Sequence, residues 1–591
     1  MKWPLIFVFF ASLSACDDSK NDTPILPYAD TGVATDLDAP DVGDPATEVR
    51  AELMFPSDSA PGTTFESCLY ASPILYKNDA TEQILQAVGP FIVALDPISG
   101  QEIWRVEMPA PEGEVAVIIG TPEITAEKLV VAYYATDSAA ASDAQPERLR
   151  HRVAVVDLKT QALDPAFPTI ELTGSFEATG GGVVPFLPSN ALARAQVVIA
   201  KVAGEMYGHA YVTFGNVRDI QPWHGFAFEI DLDAWGAGGD AITGKLVTTP
   251  ESDCGQSGVS GSRMRRCGGG LWQPSGPLIV PTTDSYEIIL APGNGQLDLA
   301  RNDFANTLMR VSPGLAFSPD CDATACADFD SNAPATACVE SCTNLFIPRQ
   351  EDADGPLRPE SGVCDGLTMF ECWGKLDYVG GSTPTLVELP QAGRLLAYPT
   401  KDGAVYLVDA DELGIMHDRL QLVAVCGTPD DTCRWDWAGM IVNQPELTTV
   451  NGKPVLIIPT FMPDKSHPAG IVALELIDGP QAKLKVLWQT PNFSTPESVT
   501  RFREHSSRAT IQNVAAGLDV AWVVEAKRQG PGRLVGVRTW DGKMVEDLQM
   551  AGPGNRFTKP LVVEDRVYVP SCGNDRASGF VEGYRVLTEA P

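Results

Sequence analysis

The residues of this 591-residue chain with the most chemistry to offer are 13 cysteines and 6 histidines, set in a strongly acidic background. Setting Cys16 aside leaves twelve cysteines (13 − 1 = 12) between positions 68 and 572. Most of them fall in close pairs: Cys254 and Cys267, Cys321 and Cys326, Cys338 and Cys342, Cys364 and Cys372, Cys426 and Cys433. An even number of closely spaced cysteines points to disulfides formed in an oxidising compartment. Pairing between neighbours would staple long loops, and the nested arrangement 321/342 with 326/338 is an equal alternative. Cys68 and Cys572 remain, one near each end of the folded region, where a bond between them would lock a ring. Zinc at Cys338-x-x-x-Cys342 is the competing chemistry, but no histidine lies nearby to complete a ligand set. The histidines (His151, His209, His224, His417, His467 and His505) are scattered and show no metal-binding spacing. The sequence contains no Gly-x-Ser-x-Gly elbow, no Gly-Lys-Ser/Thr phosphate loop and no Cys-x-x-Cys-His haem motif.

Cys16 belongs to a different chemistry. Lys2 precedes a short apolar run from Pro4 to Leu13, which is too short to span a bilayer and has the length of a signal-peptide core. Leu13-Ser14-Ala15-Cys16 resembles the bacterial lipobox, in which the cysteine sulfur takes the lipid and becomes the new N-terminus. Residues 1–15 are therefore expected to be a signal peptide, with a lipid on Cys16 inserted in a bilayer. Residues 16–60, rich in Asp and Pro, read as a disordered acidic tether. Such a chain would sit in the bacterial cell envelope, on the periplasmic or the surface face. A formal net charge of −34 repels phosphate backbones, so nucleic acid is not an expected partner.

The elements that must position these residues follow from a recurring phrase. A β-rich run ends in Asp, a turn follows, and another strand begins. The clearest copy runs from Phe91 through Asp96 and Gly100 to Trp104, and weaker copies occur at 152–159, 225–232, 403–409, 470–478, 533–543 and 583–587. Upstream of most copies stands a proline followed by an apolar strand, as at Ser72-Pro73, Thr121-Pro122, Gly276-Pro277, Thr383-Pro384, Gln444-Pro445 and Lys559-Pro560. About eight such units of four antiparallel strands fit between 66 and 587. The expected fold is all-β: an eight-bladed β-propeller of four-stranded blades over 61–591, with a Cys-rich loop insertion at about 316–375. The last unit lacks its fourth strand, and residues 51–55 could supply it and hide both sheet edges.

The Leu95-Asp-x-x-x-Gly-x-x-x-Trp104 phrase resembles the repeat of pyrroloquinoline-quinone-type propellers, a family that includes the quinoprotein alcohol dehydrogenases. The resemblance covers nearly all of 66–587. It is most specific in the middle, at Tyr211–Gly215, Pro222–Gly225, Gly268-Gly-Gly-Leu-Trp272, Ala291-Pro-Gly-Asn-Gly295, Trp373–Asp377 and Lys401–Tyr406. In the enzymes, calcium polarises the quinone carbonyl and an Asp takes the alcohol proton. By motif order the resemblance implies Trp272 as the floor under a quinone, Asn294 as a calcium ligand, Asp377 as the catalytic base and Lys401 as the cationic contact. Two departures weigh against that chemistry: no adjacent Cys-Cys pair exists, and no Gly-Ala-Glu segment supplies the ligating Glu. The reading preferred from sequence is thus a membrane-anchored, non-catalytic propeller with no cofactor, which binds an envelope protein. The alternative is a dehydrogenase dependent on calcium and pyrroloquinoline quinone.

Overall fold

A computed structural model describes residues 48–589 except 79–80, 141–145, 217–221, 253, 255–266, 332–333, 349–379, 402, 423–441, 461–469, 492–500, 503, 505, 528–529 and 575–576. Cys16, Asp377, Cys364, Cys372, Cys426 and Cys433 lie outside the described residues, as does the second half of the Cys-rich insertion.

The chain forms an eight-bladed propeller of antiparallel sheets. Blade one is Ile74–Lys77, Glu82–Val88, Phe91–Leu95 and Glu102–Glu107. Blades five, six and seven repeat this plan over 385–421, 446–490 and 510–549. Blades two and three are irregular, with their first strand split into Glu114–Val117 plus Glu123–Thr125 and Ala191–Leu192 plus Val198–Ala200. Blade four is Leu278–Pro281, Tyr286–Leu290, Leu308–Val311 and a two-residue edge, Leu345–Phe346.

The recurring Asp-turn-Gly phrase has a local cause. Asp96 Oδ1 accepts hydrogen bonds from the backbone N–H of Ile98 (3.0 Å) and Ser99 (2.7 Å), which folds the turn on itself. Gly100 follows with φ +67°, a left-handed conformation suited to glycine. A Cβ there would also collide with the ring of Phe55, which comes from the blade before. Gly542 in blade seven repeats the contact, its missing Cβ making room for Trp488 of blade six. The turn glycine of one blade is therefore the seat for an aromatic ring on the outer strand of its neighbour. Trp488 also donates from Nε1 to the Thr539 carbonyl of blade seven at 2.8 Å.

Blade eight closes the ring with both ends of the folded region. Leu561–Val563, Arg566–Cys572 and Gly579–Glu589 are joined on the outside by Glu48–Phe55, paired antiparallel from Glu48↔Glu589 to Phe55↔Gly583. Cys68 and Cys572 are bonded across the same closure. The tether expected over 16–60 is corrected accordingly: residues 48–55 are a strand of the propeller. Val49, Ala51 and Phe55 point inward and are buried, an alternation that the acidic composition of the segment obscures.

Around the axis the blades are tied by a closed belt of hydrogen bonds at the start of each inner strand. The Ser72 N–H donates to Thr121 Oγ1 (2.9 Å) and the Val197 N–H to the Thr121 carbonyl (2.9 Å). Gln196 N–H reaches the Pro274 carbonyl (3.1 Å), and Thr383 Oγ1 reaches the Gly276 carbonyl (2.7 Å). Thr385 Oγ1 donates to Pro445 (2.7 Å) and Asn443 Nδ2 to Ser506 (2.8 Å). Arg508 N–H to Thr558 (2.8 Å) and Lys559 N–H to Ser72 Oγ (2.9 Å) complete the circuit. The X-Pro phrases mark this belt because proline fixes the entry to each inner strand in an extended conformation. Among the described residues no helix is long and apolar enough to cross a membrane.

Candidate functional site

The glycine run that follows Cys267 threads between two loops next to the axis. The Gly225 N–H donates to the Gly268 carbonyl (2.9 Å), Gly268 N–H to Trp223 (3.0 Å) and Gly269 N–H to Asn294 (2.7 Å), and the Gly293 N–H donates back to Gly270 (2.9 Å). This lattice delivers Trp272 and Asn294 to one place: Trp272 is partly buried and Asn294 is 4% exposed. The indole lies against the backbone of residues 215, 293 and 381, and a Cβ at Gly381 (φ +85°) would overlap its six-membered ring.

Lys401, from the hairpin turn of blade five, is fully buried, and its Nζ sits 3.8 Å from the centroid of a Trp272 ring. An ammonium on an indole face is a cation–π contact, strongest where water is excluded. The structure thus brings together Trp272, Lys401 and the loop of Asn294, three of the four residues singled out by motif order; the fourth, Asp377, lies outside the described residues.

Among the described residues, no cluster of carboxylates of the kind calcium takes gathers beside these groups. That ion takes six to eight oxygens, carboxylates chief among them. Among the described residues, the clusters of three or more His, Cys, Asp or Glu ligand atoms are His224–Cys254–Cys267 and Cys321–Cys326–Cys342. Neither includes a carboxylate, and their cysteines are bonded as 254–267, 321–342 and 326–338. The insertion is therefore stapled in the nested arrangement, through the short helix Thr336–Glu340.

His224 borders a separate cavity of about 400 Å³ lined also by Val184, Glu251, Ser252 and Cys254. Its Nδ1 lies 2.8 Å from the Thr249 carbonyl and its Nε2 3.2 Å from Cys254 Sγ. Burial lowers its pKa to about 4, so it is neutral at pH 7. Asp303 behind it accepts from the Glu251 N–H at 2.9 Å, and burial pushes its carboxyl up to about 6.

Sequence motifs do not mark the most charged place on the axis. Glu446 of blade six accepts from Arg508 of blade seven (3.0 Å) and from Lys559 of blade eight (3.0 and 3.1 Å). Arg508 Nη1 also lies 3.3 Å from Ser275 Oγ on blade four. Groups three blades apart in an eight-bladed ring can meet only near its axis, so this cluster is axial. Its signal in the sequence was a charge at the mouth of an inner strand, in Gln444-Pro-Glu446 and Lys559-Pro560, together with the polar run 503–508.

No protein-family model matches the chain, and no curated protein matches its sequence. Solved structures do match in fold. A europium-containing methanol dehydrogenase is similar over 91% of this chain and 93% of its own, at 10% identity and a TM-score of 0.53. Quinohemoprotein alcohol dehydrogenases from Pseudomonas putida HK5 (14% identity, 90% of this chain and 78% of that one, TM-score 0.48) and Comamonas testosteroni (12%, 90% and 76%, 0.48) also align. What is shared is the fold, a β-propeller. At such identities the likeness is one of architecture, and function must be argued from the site.

Proposed function

We propose that the chain is a lipid-anchored propeller of the bacterial cell envelope that serves as a binding or scaffold module and has no quinone-dependent activity. The observation that carries the non-catalytic half is the place of Lys401: its ammonium occupies the indole face on which a planar cofactor would stack. Trp272 is further enclosed by the 381 backbone, and among the described residues no carboxylate cluster suited to calcium lies beside it. The anchoring half is supported by the lipobox at Cys16 and the apolar run before it.

The second reading, a dehydrogenase dependent on calcium and pyrroloquinoline quinone, is favoured by the convergence of Trp272, Lys401 and the Asn294 loop. One experiment separates the two. The purified protein is titrated with pyrroloquinoline quinone and calcium, and dye reduction is followed with a panel of alcohols and sugars. No stoichiometric quinone binding is expected; binding with turnover that Asp377→Ala abolishes would overturn the proposal. Anchoring is tested by metabolic labelling with a radioactive fatty acid, which should mark the wild type and not Cys16→Ser.

A further inference from the structure

We propose that the axis of the propeller is an anion-binding site, in which Arg508, Lys559 and Arg194 hold a ligand bearing carboxylate or phosphate groups. The inference rests on the binding-module reading above and names the chemistry of its ligand.

Arg508 and Lys559 share one carboxylate, Glu446, and so leave a positive charge over. Arg194 comes from blade three, and its guanidinium carbon lies 5.5 Å from the ring centroid of Phe557 on blade eight. Blades three and eight are also three apart, so this contact too spans the axis. Arg556 lies 5.2 Å from the same ring. Among the described residues Arg194 has neither a hydrogen bond nor a carboxylate partner. Glu123 of blade two accepts from Gln196 at 2.7 Å, two residues from Arg194. Among the described residues, Arg508 and Lys559 therefore share a single carboxylate, and Arg194, reaching across the same axis, has none.

A surplus of cations removed from bulk water is costly unless an anion completes it. Burial lowers the pKa of Arg508, Lys559 and Arg194, against the opposing pull of Glu446 on the first two. The Arg508 Nε–H is buried with no hydrogen-bond partner. The cluster is nevertheless reachable: 19% of the Arg508 side chain, 19% of Glu446 and 34% of Lys559 remain accessible. Guanidinium forks suit carboxylate and phosphate, which accept two parallel N–H bonds. In a chain of net charge −34 such a concentration of cations has no solubility purpose.

The test uses the purified protein, with citrate and inorganic phosphate as probes, glycerol as the neutral control, and constant ionic strength set with sodium chloride. Isothermal titration should show saturable binding of about one citrate or phosphate per chain and none of glycerol. Arg194→Gln and Lys559→Gln should each weaken it about tenfold or more, the size expected for one charge-assisted contact. Arg194→Gln removes no hydrogen bond of the free protein, so an unchanged melting temperature would show that the fold is intact. Citrate binding alone identifies a polycarboxylate site, and phosphate binding alone a phosphate site; either supports the proposal. No saturable binding of either probe, or binding unaffected by both variants, overturns it. Quinone turnover with citrate binding intact would instead sink the non-catalytic reading alone.

Discussion

Blades five to seven and the sector of blades three and four solve the same packing problem differently. Blades five to seven are four-stranded ladders with nearly continuous buried runs, such as Ala404–Val408 and Val520–Glu525, each residue at most 1% exposed. Their order comes from alternating side chains and pleated pairing, and no described disulfide supports them. The other sector has a buried apolar core as well, including Ile288, Leu290, Met309 and Leu345, but its ladders are interrupted by the glycine run 268–270 and end on the two-residue edge Leu345–Phe346. Three of the four described disulfides lie in or beside it. Where backbone approaches backbone to set Trp272 against Lys401, regular strand pairing gives way to loops, and disulfides staple those loops. One region keeps the ring stable, and the other gives up regularity to build a site.

Substitutions should expose that division. The largest effect is expected from Trp522→Ala in blade seven, since Trp522 is fully buried and donates to Gln512 Oε1 at 2.7 Å. It should lose about 3–5 kcal/mol in denaturant unfolding. Trp272→Ala should cost less, about 1–2 kcal/mol, because Trp272 is partly exposed and much of its contact is with the backbone of residues 215, 293 and 381. An equal loss at both positions would break the contrast. Next comes the closure: Cys68→Ser removes a bond spanning 504 residues and should cost about 3 kcal/mol, read as a fall in melting temperature that reducing agent reproduces in the wild type.

A smaller effect concerns pH. His209 of blade three lies 3.0 Å from Glu229 and 3.2 Å from Glu205, and the hydrogen bond to Glu229 raises its pKa to about 9. A raised histidine stabilises the fold fully below its unfolded pKa of about 6.5 and loses that contribution as pH climbs through about 9. For this half-buried group the loss should be about 1 kcal/mol between pH 6 and 10 after solvent screening, and His209→Gln should flatten that part of the stability profile. The smallest change is expected from Asp96→Ala, which removes the turn bonds of blade one and should cost about 0.5–1 kcal/mol in thermal melts.

The regular blades were legible in the sequence because strand alternation and the Asp-turn-Gly phrase are local. The closing strand was half legible: 51–55 showed the pattern, while Glu48 to Arg50 look like tether because every other residue faces solvent. The axial cluster was not legible. Arg508, Glu446 and Lys559 are far apart in sequence, and nothing in any one of them says that three blades bring them to a point. Trp272 and Lys401 were legible as turn phrases, but not that the ammonium would lie on the indole, since that depends on how two blades meet.

The strand Glu48–Phe55 also sets a timetable. It is among the first parts of the folded region to be synthesised, and its partner, Gly579–Glu589, is the last. Until the ribosome has finished, the first strand has nothing to pair with and Phe55 has only one of the two blades it packs between. Local ladders can form as they emerge, whereas the ring waits for a contact between its extremes, the slowest kind to find. A chain interrupted anywhere before residue 579 would lose both its last strand and the pairing partner of its first.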